Sequence, residues 1–284
     1  MTSFVVPTGD QLSPRVVAGR QFSCLSSSLR RHTLTSTYLS LLVAIPLLAL
    51  GTHALSGGPI QWWKNITQPE ALQAIGLTLA CAALATTVNV VMGLCTAWIL
   101  VRDSFKGKAL LNAIIDIPFA LPTVVAGVTF MTLYGPLSPL HVSLAGTWMG
   151  IVVALLFVTL PFCVRTVQPV LETMSWTAEA ASTSLGARGW YTFVRITLPA
   201  LAPSVVTGAG LAFARAVGEF GSVVFISGNR PFHTEVASSY IFMLTQSQNF
   251  DAAASVSLAL LMIALLTISG MSFVARETSG GGQS

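Results

Sequence analysis

Six times along this chain a run of about twenty or more residues passes with almost no charge, and this recurrence constrains the fold more than any other feature. The runs are Ser36–Leu55, Ala71–Val101, Ala109–Tyr134, Thr147–Val164, Leu201–Ile226 and Ala252–Val274. A helix needs about 20 mostly apolar residues to cross a bilayer core. Of the 284 residues, 53% are apolar and only 8% are charged, against about a quarter charged in soluble globular proteins. Such a chain cannot cover a water-facing surface, and a mean hydropathy of +0.75 agrees. The expected class is all-α, a polytopic membrane protein with about six transmembrane helices. The second and third runs exceed the required length and contain Gly or Pro, so tilt or kinks are expected there.

Lysine and arginine report orientation. Arg15, Arg20, Arg30 and Arg31 lie before the first run, and Arg102, Lys106 and Lys108 follow the second. Arg165, Arg188 and Arg195 follow the fourth, and Arg276 the last. The opposite loops hold only Lys64 and Arg230, eleven against two. Both termini are therefore expected in the cytoplasm, with the chain multi-pass in a bacterial inner membrane. The basic residues are scattered, so the net charge of +4 gives no reason to expect nucleic acid. Residues 1–35 read as a basic, disordered arm. Its Ser- and Arg-rich composition also fits an organelle transit peptide, which keeps a chloroplast envelope as the alternative location. Residues 36–275 form the membrane domain, and 276–284 a flexible tail. Four cysteines, Cys24, Cys81, Cys95 and Cys163, form no CxxC pair and read as free, buried thiols. Trp62 and Trp63, in the outward loop Pro59–Pro69, suit the headgroup level. Gly228–Phe250 is expected as the longest outward loop.

Polar residues inside the runs each need a reason. Arg215 and Glu219 are four apart. They can neutralise each other as an ion pair, and Arg215 can also face a water-filled path that an anion crosses. Gly218 and Gly221 flank Glu219, allowing close helix approach or a hinge. Asp116 falls near the inner interface, two turns past Lys108. Pro118 and Pro122 remove helix hydrogen bonds beside it, which fits a packing kink or a broken helix lining a cavity. No phosphate-binding loop is present, since "FKGKAL" lacks its pattern, and neither H-E-x-x-H nor G-x-S-x-G occurs. The chain is not expected to be an enzyme or to bind a metal or other cofactor.

Between the fourth and fifth runs lies "AEAASTSLGARGWYTFVRITLPA", Ala178 to Ala200. Ser175 to Leu185 favours a short helix, with Glu179 in its first turn and Gly186 as a left-handed cap. A second short helix is expected with Trp190, Phe193, Val194 and Thr197 on one face, and Pro199 opening the next span. Pattern alone leaves two readings, a handle for another protein or an amphipathic hairpin on the headgroups.

This stretch resembles the EAA loop of permease subunits of binding-protein-dependent ABC importers. Gly186, Ile196, Leu198 and Pro199 keep the motif's second spacing. Glu179, Ala180 and Ala181 stand one position early, because counting back from Gly186 puts the motif on Ala180, Ala181 and Ser182. "DIPFALPTVVAG", "LPFCVRTVQPVLE" and "GEFGSVVFISGN" resemble the sulfate/thiosulfate permeases of the CysT type, and the likeness spans roughly residues 60–275. The resemblance implies a MetI-like permease that imports sulfate, and also thiosulfate. It further implies a second homologous permease as heterodimer partner, two ATP-binding subunits that hold the ATP and Mg, and an external sulfate-binding protein. The cytoplasmic loop at about 165–199 would then be the coupling element. Arg215, Glu219, Gly218, Gly221, Asp116 and Pro122 are the candidates for the path. A molybdate or other oxyanion permease is the nearest alternative. A self-contained secondary anion transporter or channel would need internal symmetry or a line of membrane acids, and no repeat is visible.

Overall fold

The computed structural model describes residues 33, 35–139 and 141–280. Nearly all of the basic arm expected over 1–35, Cys24 included, lies outside them, as do the last four residues. The chain divides into two compact units, residues 1–52 and 53–284. In the first, the described chain is helix α1, Thr35–Ala54, which runs just past the boundary. It is wound as a π-helix over Ser40–Ala44, and its side chains are exposed from Thr35 to Ala49.

The described residues of the second unit form helices joined by turns and loops, with no strand among them. A short helix α2, Gly58–Ile66, precedes the long α3, Pro69–Arg102. Trp62 and Trp63 therefore sit on a helix where a loop was expected, and Trp63 is exposed. α4, Lys108–Ala120, and α5, Thr123–Tyr134, replace the expected third span and meet at a bend of 110°. Pro118 stays inside α4, and the break falls at Leu121 and Pro122. α6 runs Trp148–Thr173, nine residues beyond the expected end at Val164, so Arg165 lies on a helix and not in a loop. After α7, Thr177–Ser184, a single helix α8 runs Gly189–Val217. Pro199 thus does not open the span. The loop's second helix is its first turns, joined through a π-helical turn at Phe193–Thr197. The four residues expected on one face do not share one environment, since Thr197 is buried and Trp190 exposed.

The expected fifth span to Ile226 also stops early. α8 ends at Val217, and only the single turn α9, Val223–Ile226, is helical beyond it. The expected long loop 228–250 contains α10, Ala237–Gln246. α11, Phe250–Gly280, carries helix into the expected tail. Among the described residues five helices are long and apolar enough to cross a membrane, or six with the bent pair counted as one span.

α3 and α6 form the central seam, with α8 against both and α11 packed on α8. In lipid, close van der Waals packing of small residues and cross-helix hydrogen bonds replace the hydrophobic drive. Gly93 of α3 faces Cys163 of α6, where a Cβ at Gly93 would stand 2.6 Å from the cysteine Cβ. Asn89, buried beside it, donates through Nδ2 to the Leu156 carbonyl at 2.9 Å and to Thr159 Oγ1 at 2.8 Å. Cys81 and Cys163 are buried free thiols as expected. Cys95 is exposed, because its face of α3 looks away from the seam.

Gly93→Val should overpack the seam and destabilise the domain by about 1–3 kcal/mol. Gly76→Ala, on an exposed stretch of α3 where a Cβ meets nothing within 4 Å, should be neutral or stabilising by up to about 1 kcal/mol. Unfolding in mixed micelles measures both.

Candidate functional site

Most of the residues singled out in the sequence gather at two levels of the second unit, one at Arg102 where α3 stops and one near Thr78 of α3, whose hydroxyl accepts the Ala237 N–H beside the Ser238 that bonds the Glu219 carbonyl. Along α3 these levels lie roughly 36 Å apart at 1.5 Å per residue.

At the Arg102 end, α7 is a compact, capped helix. Its last turn closes as a Schellman motif, in which the Gly186 N–H donates to the Thr183 carbonyl at 3.0 Å and the Ala187 N–H to Ser182 at 3.1 Å. Gly186 adopts φ +81°, the left-handed region that an L side chain resists. Ser182 and Thr192 hydroxyls bond at 2.9 Å and hold the two arms of the loop together. The outer surface then presents small residues and one bulky one: Ala178, Ala180, Ala181 and Gly186 are exposed, and Leu185 is 89% exposed. A shallow concavity lies beside them, lined by Ser182, Leu185, Gly186, Ala187 and Tyr191. Ile196 and Leu198 are half-buried and Pro199 exposed, and all three lie on α8 and not on α7.

Glu179 points the other way. Its Oε1 accepts from Arg102 Nη2 at 2.6 Å and from Thr197 Oγ1 at 2.9 Å. Arg102 was read in the sequence only as an orientation charge. In the structure its guanidinium lies 3.6 Å from the Trp176 ring centre and 5.2 Å from that of Trp98. No spacing rule links positions 102 and 179; the only signal was an acidic residue one place early in the motif.

At the other end, α8 stops at Gly218 and the chain turns through Glu219 to Ser222. Arg215 Nη2 and Glu219 Oε2 lie 2.6 Å apart, the ion pair that their spacing allowed. The Glu219 side chain is 1% exposed and Arg215 about a third exposed. Oε1 of Glu219 also accepts the Ser222 N–H and hydroxyl, both at 2.9 Å, so one carboxylate neutralises a cation and closes a turn. Contact requires glycine at Gly221 of this turn and at Gly127 facing it, but not at Gly218, where a Cβ would meet only the Ala214 carbonyl at 3.7 Å. A Cβ at Gly127 of α5 would meet the Gly221 carbonyl oxygen at 2.8 Å, and one at Gly221 would strike Thr123. The turn is thereby seated on the start of α5, which Pro122 caps. Thus Pro122, Gly218, Glu219, Gly221 and Arg215 come together. An open cavity of about 330 Å³ adjoins the turn, with Val217, Gly218, Ser238 and Ser257 in its wall. Arg215 is not among its lining residues.

Asp116 stands apart from this group. It pairs with Arg165 through two bonds of 2.8 and 2.7 Å, and Arg165 also reaches Asn112 and Gln168. The cluster clamps α4 to α6, with Asp116 half-exposed. Its partner was missed because α6 was expected to end before residue 165. Among the described residues no group of His, Cys, Asp and Glu could hold a metal ion.

Glu235, just before α10, is buried, and its Oε2 has no hydrogen-bond partner. Burial, then the nearby Glu70, push its carboxyl above the usual carboxylate range. Between the ordinary and the raised value the folded chain therefore holds a proton that the unfolded chain releases. That stabilisation is complete below the ordinary glutamate pKa and is lost as pH rises through the raised value. Glu235→Gln should remove this slope and raise stability at neutral pH. Thermal melts in detergent across that window check it.

Comparison with known proteins follows the same architecture. The family model described as "Binding-protein-dependent transport system inner membrane component" matches residues 89–276. The sulfate transport system permease protein CysT of Escherichia coli is 42% identical over 238 residues, covering 81% of this chain and 86% of the relative. The probable sulfate transport system permease protein cysT of Chlorokybus atmophyticus is 39% identical, covering 88% and 91%. Among solved structures, a bacterial ABC transporter that imports the acidic polysaccharide alginate aligns with TM-score 0.73 at 17% identity, over 91% of this chain and 99% of that one. The MetNI methionine ABC transporter in an inward-facing conformation aligns with TM-score 0.58 at 18% identity, over 73% and 95%. The family match over residues 89–276 and the 42% identity over four fifths of the chain, with the shared fold, make this chain a member of the family of binding-protein-dependent transport system inner membrane components, the permease subunits of ABC importers.

Proposed function

We propose that this chain is the permease subunit of an importer that carries sulfate, and also thiosulfate, inward across a bacterial plasma membrane. The observation that carries the substrate is the identity of about 40% to proteins named sulfate transport permeases, over more than four fifths of this chain. Two ATP-binding subunits supply the energy, a second related permease completes the pore, and an external binding protein delivers the anion. Both termini and α7 lie on the cytoplasmic side, as the eleven-to-two bias of Lys and Arg supports. The chloroplast envelope and a molybdate-type substrate are the outcomes that would replace these assignments.

In this reading α7 is the coupling helix. Its exposed Ala180, Ala181, Leu185 and Gly186 seat in a groove of the ATP-binding subunit, and motion passes through α6 and α8 as a rigid-body switch. The Arg215–Glu219 turn lies beside the path. Arg215 is partly exposed and otherwise neutralised, so it lowers the barrier to a dianion without forming a well deep enough to trap it.

The tagged chain should co-purify with an ATP-binding protein and a second permease, and the reconstituted complex should take up labelled sulfate on ATP. Failure of either defeats the assignment. In that assay Gly186→Val should assemble yet lose most uptake, since a β-branched residue cannot adopt φ +81° without strain. Gly186→Asn, which tolerates that region, should keep it. Arg215→Ala should assemble and cut sulfate uptake about tenfold or more, the change expected for loss of one charge contact of about 1.4 kcal/mol. Uptake at the parent rate would make Arg215 structural only.

A further inference from the structure

The coupling helix is joined to the membrane domain at more points than its covalent ends. The chain enters α7 from α6 and leaves it into α8, so motion of α7 reaches those two helices by connectivity alone. α3 has no such link; it ends at Arg102, and 74 residues separate it from the start of α7 at Thr177. Between them stands the Arg102–Glu179 pair at 2.6 Å, with side chains only 5% and 15% exposed.

We propose that Arg102 is a positioning residue, the latch that makes α3 move with the coupling helix. This deepens the function proposed above and rests on it. Four observations converge on the guanidinium. It is held on its faces by Trp98 from its own helix and Trp176 at the start of α7. Glu179 takes Nη2, and the same carboxylate oxygen is fixed by Thr197, in the π-helical turn of α8. Nε and Nη1 are buried with no acceptor, so Glu179 is the sole hydrogen-bonding anchor of that cation among the described residues. α3, α7 and α8 therefore meet at one oxygen atom. A buried pair of this kind is weak evidence for stability, but separating the partners strands a charge, which resists any movement of α7 away from α3. An arginine fork held between ring faces permits little sliding. A pull on α7 is thus delivered to α3, and with it to the α3–α6 seam, without slack.

The test is the ratio of sulfate imported to ATP hydrolysed in proteoliposomes of the full complex. The parent complex must first show ATP-driven uptake; if it does not, the function itself is wrong and the latch falls with it. Given that, Arg102→Ala and Glu179→Gln should hydrolyse ATP but import about tenfold less per ATP. Arg102→Lys, which keeps the charge and loses the fork, should fall between them and the parent. The exchange Arg102→Glu with Glu179→Arg should recover part of the ratio. Thr197→Val removes a single hydrogen bond at nearly constant volume, so it covers the case in which the charge variants fail to assemble. It should lower the ratio about threefold. A parent-like ratio in the assembling variants, Thr197→Val included, overturns the proposal. So does a fall in ATPase and uptake together, which is what weakened docking or folding alone would produce.

Discussion

Hydrocarbon offers a backbone amide no partner, and the shape of this chain follows from where it can afford to stop being a helix. At the 110° bend the break falls on Pro122, which has no N–H to lose, and its carbonyl accepts the Val125 and Ala126 amides, which starts α5. At the end of α8 the Gly218 and Glu219 amides fold back on Ala214 and Ala216, and the Glu219 carboxylate takes the Ser222 amide. The two interruptions then lean on each other through Gly127 and Gly221. Non-helical backbone thus occurs where another piece of protein covers it, and this places the polar turn against the broken span.

The two ends of the unit differ in how they hold charge. At the polar turn, cation and anion are neighbours in sequence, so the pair travels as one body with α8. At the loop between α6 and α8, Arg102 and Glu179 come from distant parts of the chain, and their pairing joins separate helices. The first arrangement suits a site that must present a muted positive charge. The second suits a joint that must carry force.

Much of this was legible in the sequence. The apolar runs marked the spans, Gly186 marked the end of α7, and the spacing of Arg215 and Glu219 marked their pair. What was not legible has physical causes. Helix ends inside apolar runs leave no hydropathy signal, so α6 outran its expected limit while α8 fell short of its own. Pro199 looked like a helix start because proline suits a first turn. The chain instead kept a helix through it with a π-helical turn just before, since Thr197 is buried against the core while Trp190 faces outward. Contacts between positions 102 and 179, or 116 and 165, follow from packing and have no periodic signature. The motif spacing left Glu179 one position early and gave no sign that its carboxylate turns inward to Arg102 and Thr197.

The π-helical turn at Phe193–Thr197 has a consequence for how this loop can vary. Each residue in a regular helix turns the chain by about 100°, so one extra residue within a turn rephases everything on one side against the other. The elbow between α7 and α8 and the buried stretch of α8 are set in azimuth independently, by a single inserted position. Loss of that position would leave the hydrophobic content of the helix untouched and swing Trp190 and the elbow about a quarter of a revolution around its axis.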